Sequence, residues 1–293
     1  MYQLAIVIPY YKITFFRETL QSLADQTDQR FKVYIGNDAS PENPEGLLQE
    51  FEGKFKFVYK KFEENVGSIS LTKQWERCIE MMEDEEWFMI LGDDDYLSHN
   101  ATEEFFKNQK TIEKNFVNVI KLNSAIINAH GVIQSEKKPE PFLKSAIGHF
   151  FDKFVYEHRS SLSEHIFAKK NYEKFKFVDL PLAWHTDDLA ILEFSEFKNI
   201  LFLENAKCFV RVSSESISGK TSEFNNQKRN ATKMFFDHIC KNLNKFSKEE
   251  KRKLFDIIQW YEKDKNFKIY IPKKMYEYMR CYGLKKTLII LFW

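Results

Sequence analysis

The stretch Trp87-Phe88-Met89-Ile90-Leu91-Gly92-Asp93-Asp94-Asp95 runs from five apolar residues through one glycine into three consecutive carboxylates. A short apolar run bounded by turn residues reads as a strand buried on both faces. The aspartates then stand where that strand leaves the sheet, the place where open α/β folds bind ligands. Like charges packed so tightly repel, and are neutralised by solvent, by Lys or Arg, or by a hard divalent cation with oxygen ligands. A solvated acidic turn is the competing reading, and the position after a buried strand counts against it.

Outward from this strand, the first half of the chain alternates strand-like and helix-like segments, as a doubly wound sheet requires. Leu4 to Ile8 reads as a buried strand stopped by Pro9, and Phe16, Leu20, Leu23 and Ala24 recur at helical spacing. Phe31 to Ile35 is the second strand, Gly46 to Phe51 a short helix, Phe55 to Tyr59 the third strand, and Thr72 to Met82 a helix leading to Trp87. A β-α-β-α-β-α-β order predicts a parallel sheet. Further on, the pattern predicts a helix from about Thr102 to Asn115 and a hairpin around Asn128 to Gly131. A strand at Leu162 to Ala168, a helix opened by Trp184-His185-Thr186-Asp187-Asp188 and a strand at Ala206 to Val212 follow. The aromatic-rich Phe150 to Tyr156 fits either a helix or a strand.

The composition, 43% hydrophobic and 30% charged, is that of a soluble globular protein and excludes a disordered chain. No apolar segment approaches the ~20 residues that span a bilayer and no leader pattern precedes the first strand, so a cytoplasmic location is expected. Cys78, Cys208, Cys240 and Cys281 are widely spaced without a CxxC pair, which suits buried free thiols rather than disulfides or zinc. Charge is uneven: residues 220–293 carry 18 Lys and Arg against 8 Asp and Glu, a net of +10, leaving −9 on residues 1–219 from 26 against 35. A boundary near Gly219 therefore divides an α/β domain, residues 1–219, from a basic helical C-terminal region, residues 220–293. The basic surplus lies in one helical region without a nucleic-acid-binding motif, which argues against nucleic-acid binding.

The fragments Val7-Ile8-Pro9-Tyr10-Tyr11, Asn37-Asp38-Ala39-Ser40, Asn65-Val66-Gly67, Leu91 to Leu97, Asp187-Asp188 and Arg211-Val212, in that order, resemble the family 2 glycosyltransferases over about residues 1–218. The resemblance implies a GT-A fold, Rossmann-like with a mostly parallel central sheet and helices on both faces, here followed by a helical appendage. It implies transfer of a sugar from a nucleotide diphosphate donor with inversion at the anomeric carbon, usually with Mg²⁺ or Mn²⁺. A glycan or lipid-linked acceptor, as in bacterial polysaccharide biosynthesis, is implied by the resemblance as well.

Carried onto this chain, the family pattern gives Asp38 the nucleotide base, with Pro9, Tyr10 and Tyr11 flanking it, and places Asn65 and Gly67 at the donor border. Asn-Asp-Ala-Ser-Pro is equally a good Asx-type turn. The metal motif, commonly Asp-x-Asp-Asp, has Gly92 in its first position here, so Asp93, Asp94 and Asp95 share the ribose contact and the metal without further assignment. Asp188 takes the place of the family's base and Asp187 that of its preceding Glu, and either can serve; first-turn carboxylates also simply suit a helix dipole. His185 beside them is a further candidate base. Arg211 matches a family arginine that faces the donor phosphates or the closing loop, although Ser213 stands where a His often follows.

Two other classes compete. A nucleotidyl- or phosphoryl-transfer enzyme also needs carboxylates and a metal, but the chain has neither GxxxxGK[ST] nor GxGxxG. A non-catalytic nucleotide-sugar-binding module is the other, suggested by Gly92. The tail, with Lys273-Lys274, Arg280, Lys285-Lys286 and then Leu288 to Trp293, combines cations with an apolar strip. Such a tail suits peripheral contact with the inner face of a membrane, or packing against the acidic domain.

Overall fold

The computed structural model describes residues 3–136, 140–156, 160–213, 216, 224–265 and 272–282. Strand β1 (Leu4–Tyr10) leads through α1 (Phe16–Ala24) to β2 (Phe31–Asn37), α2 (Glu45–Gln49), β3 (Lys56–Lys61), α3 (Leu71–Ile79) and β4 (Trp87–Ile90). β5 (Tyr96–Leu97), α4 (Ala101–Lys107), α5 (Gln109–Lys114), β6 (Val119–Ile127), β7 (Ile133–Glu136), β8 (Leu143–Ser145) and α6 (Ala146–Tyr156) follow. β9 (His165–Ala168), α7 (Lys169–Phe175), α8 (Thr186–Phe194), β10 (Asn199–Arg211), α9 (Asn225–Lys241), α10 (Lys248–Lys265) and α11 (Pro272–Tyr282) complete the order.

One ten-stranded sheet runs β3-β2-β1-β4-β9-β6-β10-β5, with β7 on β6 and β8 on β10. The pairs β3–β2, β2–β1, β1–β4 and β6–β10 are parallel. The chain therefore steps outward from β1 to β3 and returns to β1's other side with β4. That reversal opens a crevice at the carboxyl ends of β1 and β4, the switch point at which α/β sheets hold ligands. β9 departs from the parallel expectation and runs antiparallel to both β4 and β6. It can do so because it belongs to no strand-helix-strand crossover between them.

Side chains alternate across the sheet as the pleat requires. Leu4, Ile6, Ile8 and Tyr10 pack with α1, which contributes Phe16, Leu20 and Leu23, while Ala5 and Val7 face the opposite cluster. α8 buries Leu189, Ala190, Ile191, Leu192 and Phe194, apolar all round rather than on one face, because α6, α7 and α9 surround it. The described helices after Gly219 contribute Phe235, Phe236, Ile239, Leu254, Phe255 and Tyr278 to the same cluster as α6 and α8.

Four local expectations are sharpened. The helix expected over Thr102–Asn115 is two, because the Asn108 side chain donates to the Glu104 carbonyl (2.8 Å) and breaks the ladder. Phe150 to Tyr156 is helical, within α6. Of Leu162–Ala168 only the last four residues are strand; Leu162–Glu164 form a 3₁₀ turn with a capping box from Ser161. The hairpin at Asn128 to Gly131 is present, with Gly131 at φ +74°. The four cysteines are buried and form no disulfide among the described residues. Among the described residues no helix is long and apolar enough to cross a membrane. The tail strip from Leu288 lies outside the described residues.

Candidate functional site

Three strand ends build the crevice. At the β1 end the backbone N–H groups of Tyr11 and Lys12 both donate to Asp93 Oδ2, each at 2.7 Å. This carboxylate therefore clamps the β1–α1 loop to the end of β4. Tyr10 turns inward: its ring packs on Phe16 at 4.8 Å and its hydroxyl donates to the Glu42 carbonyl. Of the two tyrosines, only Tyr11 presents its ring to solvent.

Asp95 is buried, and its Oδ1 accepts from the Arg211 N–H at 2.8 Å. Asp94 and Asp93 are half-buried beside it. Burial first, and the Asp94 charge second, lift the Asp93 carboxyl to about 7 and push Asp95 well above the usual carboxylate range. Such a cluster accommodates added positive charge. A β-carbon on Gly92 would sit 3.0 Å from Asp94 Oδ1 and 3.1 Å from Asp95 Oδ2. The second and third aspartates thus crowd the space beside the Gly92 α-carbon.

At the β2 end Asp38 is nearly enclosed. Its Oδ1 accepts from the Val66 N–H (2.8 Å), its Oδ2 from the Gly67 N–H (2.9 Å), and Arg77 forms an ion pair with it. Gly67 is required by that approach, since a β-carbon there would lie 2.4 Å from Asp38 Oδ2. Burial raises the Asp38 carboxyl; the two N–H groups and Arg77 offset part of the rise. Asn65 Oδ1 accepts from the Ser68 N–H and closes the same turn. Lys73, on α3, is exposed. Arg77, one turn beyond it, was not legible as a site residue; its only sequence signal is the i, i+4 spacing from Lys73. Arg77→Leu is expected to lower unfolding free energy by ~2–4 kcal/mol in urea titrations, because it strands a buried carboxylate, whereas Lys73→Ala changes it by less than ~0.5 kcal/mol. Equal effects would contradict this placement.

Arg211 is buried and bonds protein acceptors: its Nε donates to the Asp94 carbonyl (3.0 Å), its Nη1 to Asn128 and Ala129 carbonyls, and its Nη2 to Glu18. It ties the hairpin tip and α1 to the aspartate triplet.

The second carboxylate centre is the start of α8. His185 caps that helix in a left-handed conformation (φ 70°), and its Nδ1 lies 2.7 Å from Asp188 Oδ2. Lys153 from α6 pairs with Asp188 Oδ1 and stands 3.9 Å from Asp187 Oδ2. The Asp188 side chain is 5% exposed and that of Asp187 15%. Burial opposes charge on both, but Lys153 and His185 hold Asp188 far below the usual range, while burial and the Asp188 charge raise Asp187. Burial lowers His185 despite its bond to Asp188. A wholly buried Lys121–Glu164 pair (3.0 Å) lies next to the first centre, since Glu164 follows Ser163, whose Oγ accepts from the Gly92 N–H at 3.1 Å.

A strand-order reversal with a carboxylate at the β2 end and a cluster at the β4 end places these groups at the ligand-binding position of an open α/β sheet. Residues 5–164, more than half of the chain, match the model of Glycosyl transferase family 2, and the chain belongs to that family. It is a glycosyltransferase. No curated protein matches the chain. Among solved structures it is similar to TarS 1–349 from S. aureus in complex with UDP-GlcNAc. That likeness has a TM-score of 0.67 at 14% identity and covers 94% of this chain and 79% of that one. The mannosyltransferase PcManGT from Pyrobaculum calidifontis, in complex with GDP-Man and Mn²⁺, gives a TM-score of 0.59 at 10% identity, covering 99% and 78%. Likeness at such identities is a likeness of GT-A fold.

Among the described residues no three His, Cys, Asp or Glu side chains converge into a metal-holding group. The triplet nevertheless fits a divalent cation of the Mg²⁺ class, which takes one or two carboxylates and completes its shell with substrate phosphates and water. Burial first and the Asp94 charge second raise the Asp93 and Asp95 carboxyls, and an added positive charge offsets both.

Proposed function

We propose that the protein transfers a sugar from a nucleotide diphosphate sugar to a hydroxyl of a glycan or lipid-linked acceptor, inverting the anomeric carbon in one displacement. The observation that carries the reading is the convergence of Asp38, the β1-end backbone and Asp93–Asp95 at one switch point, with a separate charged carboxylate pair at the start of α8. In the family such proteins hold the base, ribose and diphosphate along the first group. Asp38 and Arg77 offer an acceptor and a donor to the base edge, and Pro9 and Tyr11 flank it. Arg211 acts on the donor through the triplet it braces.

Asp94 and Asp95, with Asp93 behind them, would hold the Mg²⁺ or Mn²⁺ ion, which when bound supplies positive charge to the departing diphosphate. The Asp187–Asp188 pair supplies the base. The acceptor oxygen bonds to the anomeric carbon, its proton passes to the pair, and the electron pair of the breaking carbon–oxygen bond leaves on the nucleoside diphosphate. Two carboxylates this close titrate as a unit, so the base belongs to the pair. Proton NMR of the first-formed product is the test. An α-linked donor yields a β-linked product on this reading, and a retained α-linkage would overturn the single displacement.

A further inference from the structure

We propose that Lys153 is a positioning residue for the sugar-transfer reaction, holding the Asp187–Asp188 pair in the ionised state and orientation that let it take the acceptor's proton. The inference rests on the reading of that pair as the base.

The geometry comes first. α6 carries Lys153 to the first turn of α8, where its ammonium pairs with Asp188 Oδ1 and faces Asp187 Oδ2 at 3.9 Å. One cation thus spans two adjacent carboxylates from an element that bears neither. Phe154, the next residue on α6, packs against His185 (ring centroids 5.5 Å) and stacks on Phe235 of α9 (5.3 Å), fixing α6 against α8 and α9. His185, stacked on Phe235 at 4.8 Å and with Nε2 3.2 Å from Thr232 Oγ1, holds the other Asp188 oxygen. Asp188 is therefore gripped on both oxygens, and Asp187 is the more exposed member.

Two neighbouring carboxylates without a cation share one proton, because both cannot ionise cheaply at close range. A shared proton removes the base. Lys153 counters this by lowering both carboxyls, and its own ammonium persists although burial opposes it, because the Asp188 and Asp187 charges outweigh that penalty. The other charged or titratable groups around the pair are His185 on α8, Lys121 on β6, Glu164 in the 3₁₀ turn and Lys228 on α9, whose ammonium lies over the Trp184 ring. The Glu193–His238 pair on α8 and α9 lies more than a turn further along. Of these, only Lys153 forms an ion pair with both aspartates among the described residues.

The test is the pH dependence of kcat/KM for full-length wild type, Lys153→Met and Lys153→Arg, alongside nucleoside diphosphate affinity. Removing the cation disfavours ionisation, so the carboxylate pKa values rise and the acid limb moves to higher pH. Lys153→Met should shift that limb up by ~1 unit or more, lower transfer at pH 7 by ~10–100-fold, and leave nucleoside diphosphate affinity within ~3-fold. Lys153→Arg, which keeps the charge, should keep the limb within ~0.3 unit. Should Lys153→Met not fold, Lys153→Arg carries the test alone, and a displaced limb in that variant overturns the proposal. A wild-type limb in Lys153→Met, or a loss of nucleoside diphosphate affinity that accounts for the whole rate loss, overturns it as well. If the Met variant is unaffected while Asp187→Asn and Asp188→Asn are inactive, only the role of Lys153 fails. If both aspartate variants transfer at the wild-type rate, the pair is not the base and the role of Lys153 fails with it.

Discussion

Replacing Asp94 and Asp95 together by Asn is expected to lower sugar transfer at least ~10²-fold and to abolish the divalent-cation dependence of nucleoside diphosphate binding. A factor of 10² corresponds to ~2.7 kcal/mol at the transition state, within what a lost phosphate-bridging cation costs. Asn is the informative substitution because its side-chain oxygen can still accept the Arg211 N–H that now reaches Asp95. The scaffold bond is kept while the two charges go. Removing charge from a cluster in which the Asp94 charge raises both Asp93 and Asp95 also relieves repulsion, so the unliganded variant should melt no lower than wild type. Transfer at the wild-type rate, with cation dependence intact, would reduce the triplet to an acidic turn.

The second large effect is expected at α8. Asp188→Asn should lower kcat by ~10²–10⁴-fold, the range of a general base, while nucleoside diphosphate affinity stays nearly unchanged. It removes the charge that pairs with Lys153 and leaves that ammonium buried with Asp187 alone. Asp187→Asn should also lower kcat, since the two carboxylates share one titration. The sign of the pH dependence follows: a base must be deprotonated, so wild-type transfer falls as pH drops through about 7, to which burial and the Asp188 charge raise Asp187. Stopped assays over pH 5 to 9 with saturating donor measure this. A kcat in Asp188→Asn equal to wild type, with Asp187→Asn inactive, would confine the role to Asp187. A parallel loss of donor affinity in both variants would instead place the pair in the donor site.

Particular residues show why some of this was legible in the sequence. The β4 run and its aspartates could be read because burial on both faces removes polar residues from a strand, and because the ligand site of such a sheet lies at its carboxyl ends. Asp38 could be read for the same reason, one strand over. Strand direction was not legible for β9: His165 to Ala168 is buried throughout, and an apolar run carries no sign of which way it runs. Lys153 and Arg77 escaped notice because their partners lie 35 and 39 residues away, and a lone lysine or arginine on a helix carries no periodic signal. The guanidinium of Arg211 is buried among carbonyls of a hairpin tip more than 80 residues earlier, a destination that only the folded chain reveals. The C-terminal helices read as a basic appendage from their charge. Their buried Phe235, Phe236 and Phe255 lie on the side that charge counting ignores.

A single donor-turnover measurement separates sugar transfer from nucleotidyl or phosphoryl transfer and from binding alone. The full-length protein is incubated with Mn²⁺ and, in turn, UDP- and GDP-linked sugars, and the released nucleotide and sugar are quantified; a parallel series contains nucleoside triphosphates. At least one nucleotide sugar is expected to release nucleoside diphosphate and sugar in equal amounts, at a rate that falls in the Asp94, Asp95 double variant. Release of pyrophosphate from a nucleoside triphosphate, or binding of nucleotide sugars with no turnover of any of them, would contradict sugar transfer.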